Sequence, residues 1–249
     1  IWRACATRWA TARRIFPFVF HEFQENARAA GVFGLSPPFQ RREGDIVRHL
    51  IDFDQMTLPE WQALYELGLR MRERPGDFAQ SCAGKLVATL FYEPSTRTQL
   101  SFQAAALRLG AQVIGFSGTG GSSVAKGENL KDTVRTVANY VDAIVMRHPQ
   151  EGAALAASLF SEVPVVNAGD GGHLHPTQTL TDLFTISLEK GRLSGLTVGI
   201  CGDLLNGRTV HSLIKALVRF PGNRFVLIST PALRISARSL VSSSTVMPR

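Results

Sequence analysis

From Asp45 onward the chain alternates between two textures. One is the short apolar run: KLVATLFY (85–92), AQVIGFS (111–117), VDAIVMRH (141–148), VPVVNAG (163–169), GLTVGICGD (195–203) and NRFVLIST (223–230). The other is a longer segment whose apolar residues recur every three or four positions: STRTQLSFQAAALRLG (95–110), NLKDTVRTVANY (129–140), EGAALAASLFS (151–161), TQTLTDLFTISLEKG (177–191) and TVHSLIKALVRF (209–220). A helix precedes them all. Thr57 is placed as its N-cap, Pro59 follows, Glu60 lies three residues after the cap as in a capping box, and Leu64, Leu67 and Met71 mark one face. Continuous apolar strands alternating with helices predict an α/β fold with a parallel sheet flanked by crossover helices. The pattern restarts after Gly191, which predicts a second α/β unit. That unit has only two strands and one helix in this sequence, too few to close a core of their own.

Composition narrows the class. The 249 residues are 45% hydrophobic and 19% charged, so a packed core is expected. No apolar run approaches the ~18 residues of a membrane-spanning helix. The cysteines, Cys5, Cys82 and Cys201, lie far apart and form no C-x-x-C, which fits a reducing, cytoplasmic setting better than a disulfide framework or a structural zinc site. The net charge of +7 sits at the ends. Residues 1–45 carry +3 and 219–249 carry +5, against −1 for 46–218. The body therefore offers no basic face for nucleic acid.

Residues 1–44 are arginine-rich, with no acid before Glu22, and read as a basic, disordered extension. Their composition also resembles an organellar transit segment, though one poor in serine. The serine-rich stretch 235–249 reads as an atypical tail. Between them, 45–191 is expected to form a first domain and 192–234 part of a second.

In a parallel α/β sheet, ligands bind at the carboxyl ends of the strands. The loops there share one polarity. Ser95, Thr96, Arg97 and Thr98 open a helix directly after a strand, where free N–H groups, hydroxyls and a guanidinium make a phosphate cradle. Alone, that stretch reads first as an ordinary Ser/Thr N-cap beside a solvated arginine. Lys126 in a glycine-rich loop, Arg147 and His148, His175 and Gln178, and Arg208 stand at the other strand ends. Cationic polarity at every such loop points to an anionic ligand. GDLLNGRT (202–209) has P-loop spacing, but Arg208 stands where that motif needs lysine, so an ATP site is not expected. The glycines of FSGTGGSSVAKGE do not spell a dinucleotide fingerprint. His173 and His175 lack a nearby third ligand for a metal.

Separated blocks, in unbroken order over residues 45–232, resemble the transcarbamoylases. They are the S-T-R-T after a strand, KGENLKDT, MRHPQEGA, HPTQTLTDLFTI, GDLLNGRTVHSLIKAL and the strands around them. Within that family the blocks are most similar to the catalytic chains of aspartate carbamoyltransferase. The ornithine-specific branch typically has lysine where Glu93 stands and lacks the loop lysine here supplied by Lys126. The resemblance implies a two-domain transcarbamoylase fold and transfer of the carbamoyl group from carbamoyl phosphate to the α-amine of L-aspartate, a step of pyrimidine biosynthesis. No metal, nucleotide or other cofactor is implied.

It further implies roles for individual residues. Ser95, Thr96, Arg97 and Thr98 hold the phosphate. Thr98, Arg147 and His175 point at the carbamoyl oxygen, Gln178 accepts from the carbamoyl NH2, and Arg208 grips an aspartate carboxylate. Ser122 and Lys126 reach a neighbouring subunit's site, Lys126 also serving aspartate, in a homotrimer with shared active sites. Regulatory chains are the further partner class the resemblance raises. The pattern departs from the family after about Arg234. A later arginine loop for aspartate, a Pro-Leu turn and a returning helix are not matched in these 249 residues. A second expectation follows: a truncated, non-catalytic chain that only binds carbamoyl phosphate or phosphate and exposes apolar surface on both domains.

Overall fold

A computed structural model describes residues 47–235 except 119, 121, 122 and 173. The readings of 1–44, of most of the tail and of Ser122 and His173 fall outside the described residues. The elements are α1 (Leu58–Glu73), β1 (Leu86–Phe91), α2 (Thr96–Arg108), β2 (Gln112–Ser117), α3 (Leu130–Ala138), β3 (Ala143–His148), α4 (Ala153–Ser158), β4 (Val165–Asp170), α5 (Pro176–Lys190), β5 (Thr197–Cys201), α6 (Arg208–Leu217) and β6 (Arg224–Ile228). Every strand and helix lies where the pattern places it. The α1 cap is a capping box: the Thr57 side chain accepts from the Glu60 backbone N–H, and the Glu60 carboxylate accepts from the Thr57 N–H. Gly191 closes α5 in the left-handed region, at φ 66°, where a side chain would be strained.

Four parallel strands form the main sheet in the order β2-β1-β3-β4. Alternate residues feed two cores, as period-2 geometry requires. Val87, Phe91, Val145, Val166 and Ala168 join Trp61, Leu67, Met71, Phe102, Leu183 and Phe184 under α1, α2 and α5. Ala88, Leu90, Ile144, Met146 and Val165 join Val134, Ala154 and Ala157 under α3 and α4. Residues of β1, β3 and β4 are buried almost throughout, which is why these strands read as unbroken apolar runs. Leu50 adds a parallel bridge to Val166 and covers the β4 edge.

The second sheet is β5 paired in parallel with β6. Here the structure departs from the expectation of strands covered on both faces. Ile214, Ala216 and Leu217 of α6 pack on one side, while Thr197, Cys201, Arg224, Val226 and Ile228 face outward and are exposed. The continuous apolar run does not separate a covered face from a bare one. Helix α6 is fastened to the first unit at the turn preceding α1. Lys215 Nζ pairs with Asp52 at 2.5 Å and Asp54 at 2.7 Å. Arg219 donates to the carbonyls of Phe53 (2.9 Å) and Met56 (2.6 Å), its guanidinium lying 4.9 Å from the Phe53 ring centroid. No helix among the described residues is long and apolar enough to cross a membrane.

Candidate active site

The strand order fixes where a ligand can sit. β1 continues outward to β2 on one side, and β3 to β4 on the other, so the connections diverge between β1 and β3. That divergence opens a crevice at the carboxyl ends of these two strands. Phe91 of β1 is in register with Arg147 of β3. The loop after β1 therefore meets the end of β3 directly.

Arg147 is 8% exposed. Its Nη2 lies 2.6 Å from Glu93 Oε1, and its Nη1 donates to the Ala168 carbonyl at 3.3 Å. Nε is buried and unpartnered. Burial and the nearby Arg208 lower its pKa, and Glu93 opposes the shift. Arg208, at the first position of α6, donates to the Gly171 carbonyl, and its Nη1 lies 3.8 Å from the same Glu93 oxygen. One carboxylate thus faces two guanidiniums from different parts of the chain. Gly169 makes room for this. A β-carbon there would stand 3.0 Å from Arg147 Nη1, and its φ of +118° is open to glycine alone.

His175 caps α5 and is 7% exposed. Its backbone N–H donates to Ser212 Oγ at 3.3 Å, tying the loop before α5 to α6. Its ring Nδ1 lies 3.4 Å from Thr177 Oγ1. Burial, then Arg208 and Arg147, push its pKa down to about 3, so the imidazole is neutral at physiological pH. Gln178, on the first turn of α5, donates its amide to Asp182 Oδ1 at 2.9 Å. Asp170, 1% exposed, accepts from the Gly152 and Leu174 N–H groups and shapes the loop leading to His175.

Ser95 heads α2 without capping it by its side chain. Its hydroxyl donates instead to Thr98 Oγ1 at 3.1 Å. The first N–H groups of α2 are thereby left for a ligand. Thr96 and Arg97 are exposed beside them, and the Arg97 side chain has no ion pair among the described residues. Lys126 ends a short 3-10 turn, is exposed, and has no contact with Arg97, Arg147, His175 or Arg208 among the described residues. The structure thus gathers Arg147 and Arg208 around Glu93, sets His175 near the two arginines, holds Ser95–Thr98 at the adjoining helix start, and leaves Lys126 outside the cluster. Pattern reasoning on the loops missed the part of Glu93, whose only signal was an acid placed before a phosphate cradle. It also missed Ser212, Gly169 and Asp182, whose parts depend on contacts between separate elements.

Residues 48–188 match the family of the aspartate/ornithine carbamoyltransferase carbamoyl-phosphate-binding domain. The catalytic subunit of aspartate carbamoyltransferase from Clostridium perfringens is 58% identical over 188 residues, covering 76% of this chain and 61% of that protein. The subunit from Clostridium kluyveri is 55% identical over the same span. The catalytic subunit of M. jannaschii aspartate transcarbamoylase superposes with a TM-score of 0.73 at 45% identity, over 78% of this chain and 64% of that one. Aspartate transcarbamoylase from Trypanosoma cruzi in complex with carbamoyl phosphate and aspartate gives 0.74 at 38%, over 79% and 66%. The chain spans about three fifths of the length of the curated relatives it matches.

Proposed function

The chain belongs to the aspartate/ornithine carbamoyltransferase family, and from that premise we propose that it binds carbamoyl phosphate in the β1–β3 crevice and transfers the carbamoyl group to L-aspartate. The observation that carries this reading is the convergence of Arg147 and Arg208 on the Glu93 carboxylate at the crevice, with the neutral His175 ring near both guanidiniums, beside the open start of α2. Such a cluster suits two anions held side by side. The two sheets fit a carbamoyl-phosphate unit over 45–191 and part of an aspartate unit over 192–234.

In this reading the α-amine of aspartate, as the free base, attacks the carbamoyl carbon. A C–N bond forms, the C–O bond to phosphate breaks, and the amine proton leaves with phosphate or solvent. Ser95, Thr96, Arg97, Thr98 and the α2 N–H groups hold the phosphate, and Arg97 balances charge growing on the leaving group. Thr98, Arg147 and His175 meet the carbamoyl oxygen. In the tautomer whose Nδ1 accepts from Thr177 Oγ1, the neutral His175 offers Nε2–H to the developing oxyanion. Gln178 accepts from the carbamoyl NH2, and Arg208 receives a carboxylate of aspartate. Fixing both substrates is the larger part of the work. The exposure of Lys126 fits a residue that, with Ser122, serves a neighbouring subunit of a homotrimer. A reducing cytoplasmic setting agrees with the free thiols Cys82 and Cys201.

The test incubates the purified chain with carbamoyl phosphate and either L-aspartate or L-ornithine and measures ureido product. Product with aspartate alone is expected. Product with ornithine alone refutes the acceptor assignment. Thermal stabilisation by phosphate or carbamoyl phosphate without product marks a chain that binds and does not transfer. Arg97→Ala should abolish that stabilisation, and its persistence refutes the phosphate assignment. Sedimentation velocity tests for the trimer.

A further inference from the structure

Among the partly buried acids of the described residues, Asp182 has no part in the scheme above. It lies one turn after Gln178 on α5, at the i, i+4 spacing that brings two side chains together. Gln178 Nε2 donates to its Oδ1 at 2.9 Å. Asp182 has no salt-bridge partner among the described residues, and Gln178 Oε1 accepts no hydrogen bond there. A carboxylate can only accept. Whichever way the amide rotates, the atom that meets an ionised Asp182 must be nitrogen, and the atom left for a ligand must be the carbonyl oxygen.

We propose that Asp182 is a specificity-determining positioning residue: it locks the Gln178 amide so that only its carbonyl faces the ligand, which selects an acyl phosphate bearing an N–H donor over one bearing a methyl group. The inference rests on the carbamoyl-phosphate reading and deepens it. Without Asp182 the amide turns freely and offers either end. A site that fixes an acceptor rejects an isostere lacking the donor, because the buried acceptor is then left unpaired. Acetyl phosphate is that isostere, since it replaces the carbamoyl NH2 by CH3 and keeps the phosphate. Burial raises the Asp182 carboxyl to about 6, against the opposing Gln178 hydrogen bond, so the carboxylate is the form present at neutral pH.

Calorimetric titration of the full chain at pH 7.5 with carbamoyl phosphate, acetyl phosphate and inorganic phosphate tests this. The wild type should prefer carbamoyl over acetyl phosphate by roughly tenfold, the worth of one such hydrogen bond. Asp182→Leu should bring that ratio close to one with phosphate affinity unchanged. Asp182→Asn, whose amide can donate to Oε1 as well as accept from Nε2, should also lower the ratio. A Leu variant that keeps the full preference, or that loses phosphate affinity in parallel, overturns the proposal. Phosphate bound by the wild type without any carbamoyl preference overturns it too, while the anion site stands. Failure of the wild type to bind any of the three refutes the functional reading itself. One measurement needs neither a ligand nor the Leu variant. The Gln178 side-chain amide resonance should titrate with a midpoint near pH 6 in the wild type and not in Asp182→Asn. A flat wild-type resonance overturns the contact.

Discussion

Lowering the pH should weaken the fold through His175, by an amount the structure sets. The ring is buried beside Arg208 and Arg147, and its pKa falls from 6.5 to about 3. In the unfolded chain the same imidazole takes up a proton near its ordinary value. Between the two values the unfolded state binds more protons, so stability falls as pH falls. The loss begins at the unfolded pKa and ends at the folded one. Each pH unit in that window is worth about 1.4 kcal/mol. At pH 5 His175 alone therefore costs roughly 2 kcal/mol, a sizeable share of a typical 5–15 kcal/mol domain stability. Other groups act in the same range. His148 is also lowered, chiefly by burial, and adds to the loss. Asp182 is raised, so its contribution has the opposite sign and strengthens the fold as pH drops below about 6. Glu60, held down to about 2 mainly by its Arg48 hydrogen bond, stabilises the fold in full above the usual carboxylate value and loses that contribution only as pH falls below it, outside this range. The clean quantity is therefore a difference. Urea unfolding free energies for wild type and His175→Gln, measured from pH 7.5 to 5, should diverge in slope, the variant losing roughly 2 kcal/mol less over that range. Parallel slopes, or a His175 ring resonance that titrates near 6.5, would refute the argument that burial and the two arginines keep this imidazole neutral.

Gly169→Ala puts a β-carbon 3.0 Å from Arg147 Nη1 on a backbone at φ +118°; about 1–3 kcal/mol of stability should be lost by urea midpoint, and phosphate binding should weaken by calorimetry. Lys215→Met breaks the pairs with Asp52 and Asp54, and about 1 kcal/mol of stability should go. Burial lowers the Lys215 pKa, the two carboxylates outweigh it, and the net shift is upward. Its contribution is thus full below the ordinary lysine value and lost at higher pH, so the variant should differ from wild type at pH 8 and converge on it in strong alkali. Val226→Thr with Ile228→Thr alters the bare face of β5–β6, where stability should change by no more than ~0.5 kcal/mol while self-association in sedimentation velocity declines.

The elements were readable because their signals are local. Thr57, Pro59 and Glu60 announce a helix start by themselves, and the unbroken run 86–91 announces a strand covered on both sides. The cationic loops were readable as a set, once parallel strands put all their carboxyl ends on one edge. What stayed hidden is pairing between distant elements. Nothing within FYEPSTRT says that Glu93 meets Arg147 from β3 and approaches Arg208 from α6, because that depends on strand order. Ser212 looks like any helix serine until α6 docks on the loop before His175. The two faces of β5 and β6 carry similar residues, so which one is bare depends on the side α6 takes.

The strand order also governs when the crevice can exist during folding. β1 and β3 touch although α2, β2 and α3 lie between them in the chain, and the guanidinium opposite Glu93 on α6 comes later still. Each contact closes a long loop before it gains anything. A nascent chain that has extruded only as far as Arg147 holds the phosphate cradle and its nearest arginine but lacks His175 and Arg208. Anion affinity should therefore appear late and in one step. Phosphate added during refolding would act on the finished product, trapping it, and leave the earlier encounters of strands and helices at their own pace.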